Sequence, residues 1–231
     1  MKAETEKKIY DLMKTISCDV RIDTDVSEHL MSDLEGILVC EAHETKWGKL
    51  DVYKYTSTDD LRPIIQGVHY KDGWQVATDS KILLKLKNNT YPTSYEGKTI
   101  GKDGKEIEGN YPNYDAVMPL DISGYNEVHI DYDALSDIIK RAKVHKKIYG
   151  GNKLTARYLL KVGSQYYVLG LFEKFAKALK KNKINKFFEN PQRYFAVFKN
   201  ENIEILMMSY YIAEDDLERY INDESYFIEE L

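Results

Sequence analysis

Cysteine is scarce in this chain: Cys18 and Cys40 are the only two in 231 residues. That is too few for a secreted disulfide framework, so both read as buried apolar groups or free thiols, and a reducing cytoplasm is the expected compartment. Long apolar runs are missing as well. No stretch approaches the ~18 residues of a membrane span, and the opening MKAETEKKIYDLMK has no apolar core of a signal peptide.

Residue sets that carry catalysis are equally sparse. The five histidines, His29, His43, His69, His129 and His145, include no pair at metal-ligand spacing, and Cys40-x-x-His43 is half a zinc site without a second half. Asp19, Asp23 and Asp25 alternate but lack the glycine and terminal glutamate of a calcium loop. The glycines of SYEGKTIGKDGKEIEG, residues 94–109, fall one residue short of a phosphate loop, and Asp103 follows Lys102 where a magnesium-binding hydroxyl is needed. A hairpin turning at Asp103-Gly104 accounts for them better. A non-enzymatic protein without a cofactor is therefore expected.

Charge is what the chain has in quantity, and it is segregated. The net charge is only −5, yet between Lys140 and Lys186 there are 14 Lys or Arg against the single acid Glu173. Residues 213–231 hold eight acids against Arg219. A polyanion partner for the basic segment is consistent with this pattern, and so is a pair of solvated helix faces followed by a polar tail.

Periodicity places these charges. Ile9, Leu12, Met13 and Ile16 predict a helix over residues 4–16. Residues 19–60 are ambiguous: SEHLMSDLEG reads as a helix, ILVCEAHE as a strand or the helix's continuation, and KLDVYKYT as a strand. Ile64, Val68 and Tyr70, a Lys71-Asp72-Gly73 turn, and Trp74 to Ala77 predict a β-hairpin, with Ile82, Leu84 and Leu86 supplying a third strand of a meander. Pro112 and Pro119 bracket a connector that extends to Gly124, dividing the chain near its midpoint into domains 1–119 and 120–231. Beyond it, NEVHIDY predicts a strand, and Asp131 or Asp133 is placed to cap a following helix over 133–148. ARYLLKV and QYYVLGL then read as strands, residues 171–181 as a second amphipathic helix, and RYFAVFK and NIEILMMSYYI as two closing strands. The two helices turn their lysines away from their apolar stripes.

The segments LRPIIQGVHYKDGWQVATDSKILLKLK, residues 61–87, and GNYPNYDAVMP, residues 109–119, resemble the bacterial replicative sliding clamp, the β subunit of DNA polymerase III. Arg62-Pro63, Gly67-Val68, Ala77-Thr78-Asp79-Ser80 and Tyr111-Pro112-Asn113-Tyr114 stand in the family's order and spacing. The likeness continues through IDYDALSDIIKRAKV and IEILMMSYYI, so it covers residues 61–147 and 203–212. It implies an α+β fold of two DNA-clamp-like domains, antiparallel sheets with helices on one face, the first domain abbreviated or rearranged over residues 1–60.

The same resemblance implies a processivity or tethering factor on double-stranded DNA. Lys140, Arg141, Lys143, Lys147, Lys174, Lys177 and Lys181 of the two basic helices would meet the phosphates, since sliding requires many contacts of low geometric demand and none locked to base edges. It further implies an interdomain cleft for peptide motifs of a DNA polymerase or other partners, at Ile65, Thr78, Ser80, Lys81, Leu83, Pro119, Ile205 and Met207. Ser80, Lys81 and Ile82 stand where the family has Gly, His and Arg. A six-domain ring would need a homotrimer of such chains. The alternative is a clamp-derived monomeric interaction or regulatory module that does not encircle DNA, with the acidic tail 213–231 either pairing with a neighbour or covering the chain's own DNA face.

Overall fold

The computed structural model of the protein describes residues 11–12, 50–87, 91–149, 158–181, 183–190, 192–223 and 226–231, with the backbone alone at Tyr149, Lys177, Ala178, Lys181 and Glu214. The chain divides into two compact units, residues 1–79 with 84–112 and residues 80–83 with 113–231. Of the helix expected over residues 4–16, only Asp11 and Leu12 are described, and they are helical. The expected elements between residues 19 and 49 lie outside the described residues.

The first unit is built around the predicted meander: β1 (Val68–Lys71), β2 (Trp74–Thr78) and β3 (Ile82–Lys87), with the short β4 (Thr99–Ile100) on the other side of β1. Asp72 and Gly73 both adopt positive φ, 51° and 77°, the backbone twist that suits a two-residue hairpin turn. The register His69↔Val76, Tyr70↔Gln75, Lys71↔Trp74 follows from that turn. Val68, Tyr70, Val76, Ala77, Leu84 and Leu86 are buried together, and Tyr70 meets Tyr91 and Tyr95 edge-on or tilted. The turn expected at Asp103-Gly104 forms, closed by Gly101 N–H donating to Lys105 O at 2.7 Å and by an Ile100↔Glu106 bridge.

Two expectations are corrected here. Ile64 does not begin a strand, because Pro63–Gln66 forms a 3-10 helix in which Pro63 occupies the first turn, where its missing N–H costs nothing. Val52–Tyr55, read as part of a strand, is a second 3-10 helix. Asp51 Oδ1 accepts from Tyr53 N–H at 3.1 Å, a local bond that competes with extended backbone.

The second unit follows the expected order more fully. β5 (Asn126–His129) leads into α1 (Tyr132–Tyr149), then the hairpin β6 (Tyr158–Val162) and β7 (Gln165–Val168), then α2 (Leu169–Lys181). β8 (Lys186–Glu189), β9 (Phe195–Lys199) and β10 (Ile203–Met208) complete an antiparallel sheet in the order β5-β8-β9-β10. β7 passes into α2 with no intervening loop, so the helix starts two residues before the expected Leu171. β8 was not anticipated. A cluster of rings forms the core: Phe187 stacks on Phe198 with centroids 5.2 Å apart, while Tyr167, Phe172 and Phe175 meet one another and this pair edge-on or tilted. Each such ring buried contributes roughly 1.5–3 kcal/mol.

The larger departure is the acidic terminus, expected as a tail. Residues 214–222 form α3 (Glu214–Asn222), and Phe227–Glu230 form β11, which pairs in parallel with β6 to give the three-stranded sheet β11-β6-β7. Apolar residues are few in this segment, but Phe227 is buried against Tyr158 and His145 and anchors the strand.

Candidate nucleic-acid interface

The basic helices belong to one unit. α1 starts at Asp131, whose Oδ1 accepts from the N–H groups of Asp133 and Ala134 at 2.8 and 3.1 Å, satisfying two of the helix's otherwise orphaned donors. Leu135, Ile138 and Ala142 form its buried stripe, and Lys140, Arg141, Lys143, Lys146 and Lys147 are exposed. α2 buries Leu169, Leu171, Phe172, Phe175 and Leu179 and packs on β6 and β7. Its Lys174 and Lys180 are exposed.

Two ion pairs fix the direction of the helices. Lys180 Nζ lies 2.5 Å from Asp133 Oδ1 and Lys143 Nζ lies 3.4 Å from Glu173 Oε1, so α1 and α2 run antiparallel with their cationic residues along both. Of the seven cations expected to contact phosphate, Lys140, Arg141, Lys143, Lys147 and Lys174 are exposed on this pair, and the Lys177 and Lys181 side chains lie outside the described residues.

Lys140 and Arg141, like Lys143, have intramolecular partners. Lys140 bonds Asp137 at 2.8 Å, and that bond raises the lysine pKa and lowers that of Asp137. Arg141 Nη2 reaches Glu229 Oε2 of β11 at 3.1 Å. Exposed pairs of this kind are worth about 0–1 kcal/mol, so a phosphate competes for the cation at little cost. An open hollow of about 560 Å³ lies beside them, lined by Ala134, Asp137, Ile138, Lys140, Arg141 and Glu230.

The residues expected in a peptide cleft distribute as follows. In the first unit, Ile65 is buried in its 3-10 helix and Thr78 is half-buried at the end of β2. In the second, Leu83, Ile205 and Met207 are buried, Pro119 is half-buried, and Ser80 and Lys81 are exposed. Ser80 adopts φ +73°, the left-handed region. Exposed groups that the sequence reading missed include Met208, whose N–H donates to the Lys81 carbonyl at 2.8 Å. Met208, Tyr194 and Tyr211 are 42, 54 and 67% exposed, and the two tyrosine rings meet edge to face at 5.6 Å. Large apolar groups at the end of a β-strand, alternating with buried Met207, were the available signal.

Among the described residues, no group of three His, Cys, Asp or Glu stands together as a metal site, and no helix is long and apolar enough to cross a membrane. The architecture is matched by solved structures. A DNA polymerase sliding clamp from Pseudomonas aeruginosa superposes with a TM-score of 0.54 at 13% identity, covering 73% of this chain and 65% of that one. The fold is that of the bacterial sliding clamps. The Bartonella birtlesii clamp bound to griselimycin gives 0.53 at 13% identity over 78% and 64% of the two chains, and the C. crescentus β clamp 0.51 at 11% over 70% and 62%. The chain thus spans less than two thirds of the length of these clamps. No family model matches the sequence, and no curated protein does.

Proposed function

We propose that the protein is a non-catalytic, sliding-clamp-like processivity or tethering factor that holds duplex DNA on α1 and α2 and recruits partners through peptide motifs. The observation that carries the DNA reading is the antiparallel pair of lysine-bearing helices on a clamp fold. Duplex DNA offers a regular line of phosphates, and exposed lysines on straight helices provide contacts of low geometric demand, which hold the duplex without fixing its sequence or position. The peptide reading draws on the clamp fold and on the exposed Tyr194–Tyr211 ring pair and Met208, the last bonded through its backbone to Lys81, which offer an extended segment's apolar anchors aromatic and thioether partners. Ile65, Thr78, Ser80, Leu83, Pro119, Ile205 and Met207 remain the other proposed contributors.

The test is duplex-DNA binding by fluorescence anisotropy across a salt series. Each phosphate contact contributes about 0.9 to the slope of log K against log salt. Replacing Lys140, Lys143 and Lys147 by Ala is expected to flatten that slope by roughly 2–3 and to weaken binding without sequence preference. An unchanged slope would move the DNA face off α1.

A second reading, a clamp-derived monomeric module that does not encircle DNA, is favoured by one observation. The end of the acidic C-terminal segment, β11, pairs with β6 of its own chain, and its Glu229 meets Arg141 of α1.

A further inference from the structure

The acidic segment that follows β10 is a folded part of the second unit and ends directly on the basic helix α1. β11 is an edge strand held to β6 by the parallel register Phe227↔Tyr158 through Glu230↔Lys161, and Leu231 N–H donates to Lys161 O at 2.9 Å. Phe227 sits with ring centroids 5.5 Å from His145 of α1 and 6.0 Å from Tyr158 of β6. With that anchor in place, Glu229 meets Arg141 at 3.1 Å, Glu230 meets Lys161 at 3.0 Å, and Glu230 also lines the hollow beside Lys140 and Arg141.

The geometry points to β11 as an autoinhibitory clasp: Glu229 occupies Arg141 of α1 and Glu230 occupies Lys161 of β6 while lining the hollow beside Lys140 and Arg141, so that a polyanion binds at full strength only after displacing them. This rests on the reading of α1 as a DNA-binding helix. Glu229 neutralises Arg141 and Glu230 neutralises Lys161, and both carboxylates lower the potential that a phosphate line would meet along α1. Arg141 is more than half exposed and the pair is a single hydrogen-bonded contact, so displacement is inexpensive. The ladder and Phe227 hold the strand in place independently of the two carboxylates, so the charge can be removed without removing the strand.

The experiment compares the parent chain with the Glu229→Gln, Glu230→Gln double variant, which keeps side-chain shape and the β11 ladder, on a short duplex over a salt series. The expected result is tighter binding by the variant, roughly threefold or more at low salt, and a slope steeper by about 1 to 2. Arg141→Ala is expected to weaken the variant more than the parent, and so to remove much of the variant's gain. A control variant, Asp215→Asn with Glu218→Gln, removes the same charge from α3. Equal gains from this control would overturn the clasp in favour of a general net-charge effect. Unchanged binding by the double variant, with Lys140→Ala and Lys147→Ala still weakening the parent, would overturn the clasp and leave the DNA reading standing. Absence of salt-dependent binding in both proteins would remove the DNA reading and the clasp with it.

Discussion

Gly163 turns β6 into β7 at φ +61°, and a Cβ placed there would stand 2.6 Å from Glu189 Oε1. Glu189 is almost wholly buried, and its carboxylate accepts from Ser164 N–H at 3.0 and 3.3 Å, so the side chain has little room to retreat. Gly163→Ala is expected to cost about 2–3 kcal/mol, combining left-handed backbone strain with a displaced buried acceptor. Urea denaturation measures it, and in a Glu189→Ala background the cost is expected to fall to about 1 kcal/mol. The glycine was visible in the sequence, but the carboxylate that requires it is 26 positions away and was not. Gly67 is a similar case: it reads as one half of the clamp-like Gly-Val pair, yet its cause is the approach of Ile100 O to within 2.8 Å of where a Cβ would be. Ser80 is the reverse, a side chain kept in the left-handed region where the clamp pattern has glycine.

Elements with a strong period and a defined start were legible. α1 has both, since its apolar stripe at Leu135, Ile138 and Ala142 was readable and Asp131 was one of two candidate caps. Only the structure separates the two, because Asp131 accepts the helix N–H bonds while Asp133 pairs with Lys180. Asp131→Ala is therefore expected to destabilise the protein by about 1 kcal/mol, read as a lower melting temperature by circular dichroism. Asp133→Ala is expected to change it by about 0–1 kcal/mol, the ordinary worth of an exposed ion pair. Short elements were not legible. β8 has four residues, KFFE, too few for alternation to stand out, and the 3-10 turns at Val52–Tyr55 and Pro63–Gln66 carry the β-branched and aromatic residues of a strand. β11 was obscured by composition: two of its four residues are Glu, and its stability comes from a partner strand about seventy residues earlier.

At the scale of the molecule, two questions remain physical rather than chemical: how many chains associate and what the charge segregation is for. A closed six-domain ring of the clamp kind would require three copies of this two-unit chain. β6 of its own chain takes one edge of β11, so association by strand pairing would use the outer edge of β11 or the edges of other strands. Light-scattering chromatography over a range of concentrations is expected to give the monomer mass under the non-encircling reading, and a trimer mass would instead support a ring. The segregation itself was legible as a count along the chain. Its geometry was not, because the position of an acidic terminus relative to a basic helix depends on which strand the terminus pairs with.

Local and near-local physics thus sufficed for the meander with its Asp72-Gly73 turn and for the two amphipathic basic helices, since each depends on spacing within one short window, while the clamp likeness rested on the order of several such windows along the chain. The tertiary structure alone decided that the end of the acidic terminus is a strand paired with β6 whose Glu229 meets α1, that Glu189 supports the Gly163 turn, and that the exposed rings of Tyr194 and Tyr211 meet. Each of these joins residues distant in sequence, and sequence periodicity reports which face a side chain occupies but not what the rest of the chain brings against that face.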